Sequence, residues 1–332
     1  MKWPALCGVV LLSAMALGCE APPERLVDAE PSAGRTAFFD AFGRGAYEEL
    51  DDIIGELSRE HLEGDDVSTS VLAFAHAWKL SEGARQTAEP RVIEHADLAV
   101  RFFDEALEAS GDDPRLIGFL GSFEAAAGTI HDERAQRRMG WNKLLKARRQ
   151  WPQWGGFTLG YVATQLDSDE RRFRKGIRAF WRNLDACAGE RVDRERFELT
   201  DELMDAFTSD SDPWNWRACS NTDVVPYNIE GFFLAFGDIL AKGGETDDAR
   251  RMYRIALETE DSETWPHRWL AQSRLDNLEA LHGWFNAAID RTQAVDAERV
   301  TMIAGPFACA GCHQAVPSAE EPMRTTPPAE AP

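Results

Sequence analysis

The chain has 332 residues, enough for one or two domains, and 44% of them are hydrophobic, enough for a proper core. With 57 Asp and Glu against 36 Lys and Arg the net charge is −21, which makes the whole protein a poor candidate for nucleic acid. The acid is unevenly spread. Between Arg134 and Arg182 stand 13 Lys/Arg and only 3 Asp/Glu, a local +10 in a chain whose remainder carries −31. One account is a set of solvated basic helix faces neutralised by acidic neighbours. The sharper account is a basic face for an acidic partner, an anionic ligand or lipid headgroups.

Residues 1–18 have the parts of an export signal: Lys2, an apolar run from Ala5 to Leu17, then small residues before Cys19. The run is shorter than the roughly 20 residues of an ordinary membrane span. The four residues 15-MALG-18 resemble the lipobox of bacterial lipoproteins, although Ala16 and Leu17 stand where the commonest boxes carry Leu and then a small residue. The resemblance implies cleavage before Cys19, a lipid on Cys19, and a mature chain tethered to a membrane leaflet without spanning it. An ordinary secretory signal, with Cys19 as one more cysteine, is the alternative. Glu20 is not the Asp associated with inner-membrane retention in some bacteria, so the periplasmic face of the outer membrane is favoured. Residues 19–35, rich in Pro, Ala and charge, read as a flexible linker.

Export to an oxidising compartment sets the cysteine arithmetic. Cys7 leaves with the signal and Cys19 takes the lipid, so Cys187, Cys219, Cys309 and Cys312 remain. The simplest pairing joins Cys187 to Cys219. Cys187–Cys309 and Cys219–Cys312 stay open.

Over residues 36–300 apolar positions recur at three and four, with little strict alternation, so the body is expected to be all-α. Helices are expected at 36–60, 67–81, 92–109, 115–129, 132–150, 170–186, 193–208, 227–242, 246–259 and 275–291. Breaks are expected at 110-SGDDP-114, 151-WPQWGG-156, 209-SDSDPWNW-216 and 243-GGETDD-248. Three helices share Ala-x-x-x-aromatic-x-x-Ala: Ala99-Phe103-Ala106, Ala249-Tyr253-Ala256 and Ala280-Trp284-Ala287. Small residues at that spacing let neighbouring helices approach, and the aromatic fills the gap one turn on. The run 233-FLAFGDILAKGGETDDARRMYRIALE-258 resembles a tetratricopeptide repeat, with Phe233, Phe236, Gly237 and Leu240 at first-helix positions. Gly244 falls at the turn, and Ala249, Tyr253 and Ala256 fall at second-helix positions. The Pro that closes such a repeat is missing near Asp261, and elsewhere the match is degenerate. The resemblance implies stacked helical hairpins, an α-solenoid or a helical bundle, that bind a protein partner.

No GxSxG, HExxH, P-loop or dinucleotide fingerprint occurs, so an enzyme is not the expected reading. His61, His76, His95, His131, His267 and His282 read as surface or partly buried helix residues, because none sits four residues from another. The acids of 63-EGDD-66, 111-GDDP-114 and 245-ETDD-248 read as helix caps. Calcium binding by 208–215 lacks the loop's glycine and closing Glu.

The tail holds 307-FACAGCHQAVP-317. Cys309-Ala-Gly-Cys312-His313 resembles the attachment motif of c-type cytochromes, in which two thiols join the two vinyl groups of one porphyrin and the adjacent His becomes an axial iron ligand. The resemblance implies one covalent haem c on Cys309 and Cys312, with His313 as proximal metal ligand. Met302, Met323 and a body histidine are distal candidates by elimination only. Fewer than 20 residues follow the motif, so a haem would have to lie against the helical body. A Cys309–Cys312 disulfide, a metal site and chance are the competing readings. Residues 301–317 are taken as the attachment segment and 318–332 as a Pro-rich disordered tail. The expected function is electron transfer or redox sensing by a tethered monohaem protein docked through its helices. The alternative is a haem-free binding scaffold, with peroxide chemistry at an open iron position as a weaker third option.

Overall fold

The computed structural model describes residues 32–82, 92–208, 225–289 and 295–315. The signal 1–18, Cys19, the 209–216 break with its calcium question, Cys219, Met323 and the tail 318–332 lie outside the described residues. Those described form fourteen α-helices with turns and short 3-10 segments, and no strand is among them. In chain order they are α1 (Ala33–Arg44), α2 (Leu50–Leu62), α3 (Asp66–Glu82), α4 (Val92–Ser110), α5 (Pro114–Ile130), α6 (Arg134–Gln150), α7 (Pro152–Ala163), α8 (Arg171–Cys187), α9 (Asp201–Thr208), α10 (Asn228–Lys242), α11 (Thr246–Glu258), α12 (Arg268–Asp276), α13 (Leu278–Asn286) and α14 (Ala310–His313). None of the described helices is long and apolar enough to cross a membrane.

Local chemistry explains most of the boundaries. Ser32 caps α1 by accepting from the Arg35 amide at 3.3 Å, so the helix begins inside the segment read as linker. The helix expected over 36–60 is two helices, because Gly45 adopts φ +70° at the end of α1 and a short turn then starts α2. Asp113 and Pro114 open α5 as expected: the Asp113 carboxylate accepts from the Arg115 amide at 2.8 Å and Pro114 occupies the first turn. The segment 151-WPQWGG-156 is a break only at Trp151. Pro152 starts α7, whose glycines read from sequence as a loop. They instead admit close neighbours: Gly155 lies on the Arg148 backbone and Gly160 under the Phe180 ring. The helix expected over 275–291 is the shorter α13, which begins after Asn277 and ends at Asn286, and α12 precedes it unannounced by the spacing.

Consecutive helices pack in pairs, and the first helices of successive pairs also touch, α1 with α3, α5 with α7, and α7 with α10. The first helices therefore form one layer and the second helices another. Of the three Ala-aromatic-Ala helices, two behave as expected. Ala99, Phe103 and Ala106, and likewise Ala249, Tyr253 and Ala256, are buried, and the Tyr253 ring lies on Gly237 of the paired helix. In α13 the buried residues are Leu278, Leu281 and Phe285, while Ala280 and Trp284 are half-buried and Ala287 is exposed. Trp141, Trp151 and Trp181 are core residues. The apolar core has two clusters, one within α1–α5 and one from α6 onward.

Two histidines depart from the surface expectation. His267 is fully buried, and His76 of α3 is 4% exposed with its Nδ1 2.9 Å from Nδ1 of His95 on α4. Phe102 stacks on the other side of His76 at 5.5 Å. Burial, then His95 and Lys79, push the His76 imidazole from its ordinary 6.5 down to about 4, while Asp51 of α2 pairs with Lys79 at 3.0 Å. The folded chain thus holds a neutral ring. Unfolded chains bind a proton near pH 6.5 that the folded chain refuses until about pH 4, so stability present above 6.5 is lost as pH falls through that window. Urea unfolding at neutral pH and again below the window should differ by about 3 kcal/mol more in the native chain than in His76→Phe. Equal pH dependence in the two proteins would contradict this.

Candidate functional site

The described part of the C-terminal segment, residues 295–315, is not a loose tail. It forms a strap that crosses the first-helix layer and is fixed at both ends. At its start lies a buried ion pair, Arg274 Nε to Asp238 Oδ1 at 3.0 Å, with both side chains essentially unexposed. Arg274 also donates to the carbonyls of Ala297 at 3.0 Å, Val300 at 2.5 Å and Glu298. Asp238 accepts from Tyr253 Oη at 2.8 Å and from the Met302 amide at 2.6 Å. Burial pushes the Asp238 carboxyl up, and Arg274, the Met302 amide and Tyr253 oppose that shift. At the far end the Ala315 amide donates to the Gly43 carbonyl at 2.7 Å, just beyond the end of α14.

Between these ends the Cys-x-x-Cys-His motif makes α14. Its first helical amide, Ala310, donates to Oε1 of the buried Glu82 on α3 at 3.0 Å, so a side chain from a distant helix satisfies a helix-end donor. Trp265 Nε1 donates to the Gly311 carbonyl at 2.8 Å, the Tyr227 amide to the Cys312 carbonyl at 3.0 Å, and Tyr161 Oη of α7 to the Ala308 carbonyl. Cys309 packs on the α1–α5 cluster, whereas Met302, Phe307, Ala310 and Cys312 belong to the other. The strap therefore joins the two cores.

The three donor residues share a side of α14. At 3.6 residues per turn Cys309, Cys312 and His313 fall within an arc of about 100°. Cys309 Sγ lies 3.0 Å from Ser81 Oγ of α3. The His313 ring meets Phe42 of α1 with centroids 4.6 Å apart. Cys312 Sγ rests on Gly231 of α10, at a spot a Cβ there would fill. The arc thus faces the seam where α1 and α3 approach α10, beside the aromatic set Phe38, Phe42 and Trp78. Met302 covers Gly311, on the opposite side of the turn, and so is not placed across from His313. His267 packs on Phe307 with centroids 4.7 Å apart.

Both motif cysteines are free thiols, so neither pairs with the other. Cys187 is disulfide-bonded, and the free state of Cys309 and Cys312 removes Cys187–Cys309 and Cys219–Cys312 as pairings. Burial, then Glu82, push the Cys309 thiol up to about 12, against the hydrogen bond from Ser81. Burial, Cys309 and Glu230 push Cys312 up as well. Reactive redox cysteines are shifted the other way, toward thiolate. Among the described residues no group of three or more His, Cys, Asp or Glu is arranged to hold a metal ion by itself. Two thiols held in the protonated form and one imidazole therefore lie on one face of the turn, beside aromatic side chains.

The buried pair should carry the strap. Arg274→Met leaves Asp238 buried without its counter-charge and is expected to cost about 3–5 kcal/mol in urea unfolding, with faster proteolysis within 295–315. Adding Asp238→Leu should recover part of the loss. A single variant as stable and as resistant as the native chain would contradict this assignment. No protein-family model, no curated protein and no solved structure matches this chain.

Proposed function

We propose that this chain is an exported lipoprotein that carries one haem, joined through thioethers at Cys309 and Cys312 with His313 as iron ligand, and that it serves in electron transfer or redox sensing. The observation that supports this best is the arc of free, protonated thiols and an imidazole on a turn anchored by both cores. When bound, haem supplies one-electron chemistry; the chain supplies its attachment, an apolar surround and restricted access for water. Phe42, now against His313, is the side chain that would give way to the macrocycle. Glu82, Trp265 and Tyr227 hold the backbone of the turn, so the donors keep their relative positions. A thiol–disulfide enzyme is disfavoured by the upward shift of both thiols.

The helical body reads as tetratricopeptide-like, supported by the α10–α11 hairpin with Tyr253 against Gly237. In such scaffolds one layer receives a partner peptide. Here the strap already covers part of the first-helix layer, which argues against the haem-free scaffold as the main role. Docking to a redox partner, anchoring by lipid on Cys19 at the outer membrane's periplasmic face, and absence of nucleic-acid binding belong to the same reading. The test is haem staining of a denaturing gel, with the protein exported from a host able to mature c-type cytochromes. Staining of the native band, absent in Cys309→Ala/Cys312→Ala, is expected. An unstained native band beside a stained control cytochrome would overturn the proposal.

A further inference from the structure

The basic stretch 134–182 resolves into α6 and α8, both second helices and therefore on the layer opposite the strap. Helix α8 buries Phe173, Ile177, Phe180, Trp181 and Leu184. Its outer side carries Arg171, Arg174, Lys175, Arg178 and Arg182, which at 3.6 residues per turn lie within an arc of about 100° over some 16 Å of helix. None of the five has a carboxylate partner among the described residues; Arg174 reaches only the Asp169 carbonyl, at 3.5 Å. On other helices Arg44, Arg59, Arg101, Arg250 and Arg251 each meet an acid. Among the described residues, the neutralisation expected of a merely solvated basic face is thus missing along this arc. The ridge continues onto α6, where Arg148 is close enough to Arg182 and Arg149 that burial and these two neighbours push its guanidinium down, and its Nε is buried without a hydrogen bond. A chain of net charge −21 that gathers like charges on one ridge pays for it in self-repulsion unless something anionic covers them.

We propose that this ridge docks on an anionic phospholipid surface, laying the second-helix layer on the membrane and turning the strap toward the aqueous side. The inference rests on the lipid-anchor reading, since a chain held at Cys19 reaches Ser32, the first described residue, over 13 peptide steps, at most about 45 Å when fully extended. The body is thereby confined near the leaflet. Arginines brought within a Debye length of anionic headgroups attract them directly. An extended ridge fits a plane of headgroups, which offers charge along its whole length.

The test uses the mature full-length chain with Cys19→Ser, so that no acyl chain contributes, sedimented with vesicles. One set is an equal mixture of phosphatidylglycerol and phosphatidylcholine and the other is phosphatidylcholine alone. Binding to the mixed vesicles only, weakened by added salt, is expected. Arg174→Glu/Arg178→Glu should lower it by about tenfold or more, while the matched control Arg44→Glu/Arg299→Glu, on α1 and the strap and with the same change in net charge, should leave it nearly intact. No binding to the mixed vesicles, or equal loss in the two double variants, would overturn the proposal. The first outcome would point to an acidic protein as occupant instead. Radiolabelled palmitate incorporation into the native chain, compared with Cys19→Ser, tests the anchor separately, so the two claims can fail independently.

Discussion

The arrangement hangs on one buried ion pair. Arg274 and Asp238 lie wholly inside the protein, on α12 and α10, and between them engage four backbone groups of the strap. An ion pair out of water is tolerated only when its remaining donors and acceptors are filled. Here the partners that fill them are the carbonyls of Ala297, Glu298 and Val300 and the amide of Met302. Desolvation therefore does not merely weaken the pair; it makes the strap's position a condition of burying the charge. The same reasoning applies further along, where Glu82 of α3 meets the Ala310 amide inside the protein.

This constraint positions the chemistry. The strap starts on the C-terminal core and ends on α1, so the Cys-x-x-Cys-His turn must fall at the seam between the two clusters. Gly231 leaves the space into which Cys312 fits, and Ser81 and Phe42 meet its companions. The turn is held through its carbonyls and first amide as well as through these side-chain contacts. The arginines of α8 that meet no carboxylate among the described residues lie on the other layer, so the charged ridge and the Cys-x-x-Cys-His turn are separated by the thickness of a helix pair.

Much of this was legible in the residues. The spacing of Ala99, Phe103 and Ala106, and of Ala249, Tyr253 and Ala256, marks buried helix faces, and those faces are buried. Asp113-Pro114 marks a helix start, because the cap is local and carried by two adjacent residues. What was hidden depends on tertiary contact. Helix α7 escaped notice because Gly155, Gly156 and Gly160 disfavour a helix alone and are useful only against α6 and α8. The strap looked like a tail because its partners, Glu82, Tyr161, Trp265 and Arg274, lie far away in sequence. Asp238 did leave a trace: a carboxylate inside the apolar run 233-FLAFGDILA-241 calls for a buried counter-charge, although nothing local names Arg274. The histidine pair His76–His95 was missed for the same reason, since inspection of one helix at a time cannot find two rings on neighbouring helices.

The central claim is that the motif turn belongs to the folded core through the strap. Hydrogen exchange of the Met302, Ala310 and Cys312 amides, followed by mass spectrometry of the intact folded chain, tests it most directly. The account predicts that these amides exchange as slowly as those of α10, opening only when the whole protein unfolds. Exchange at the rate of a free peptide, with α10 still protected, would show that the strap is not part of the core and would contradict it.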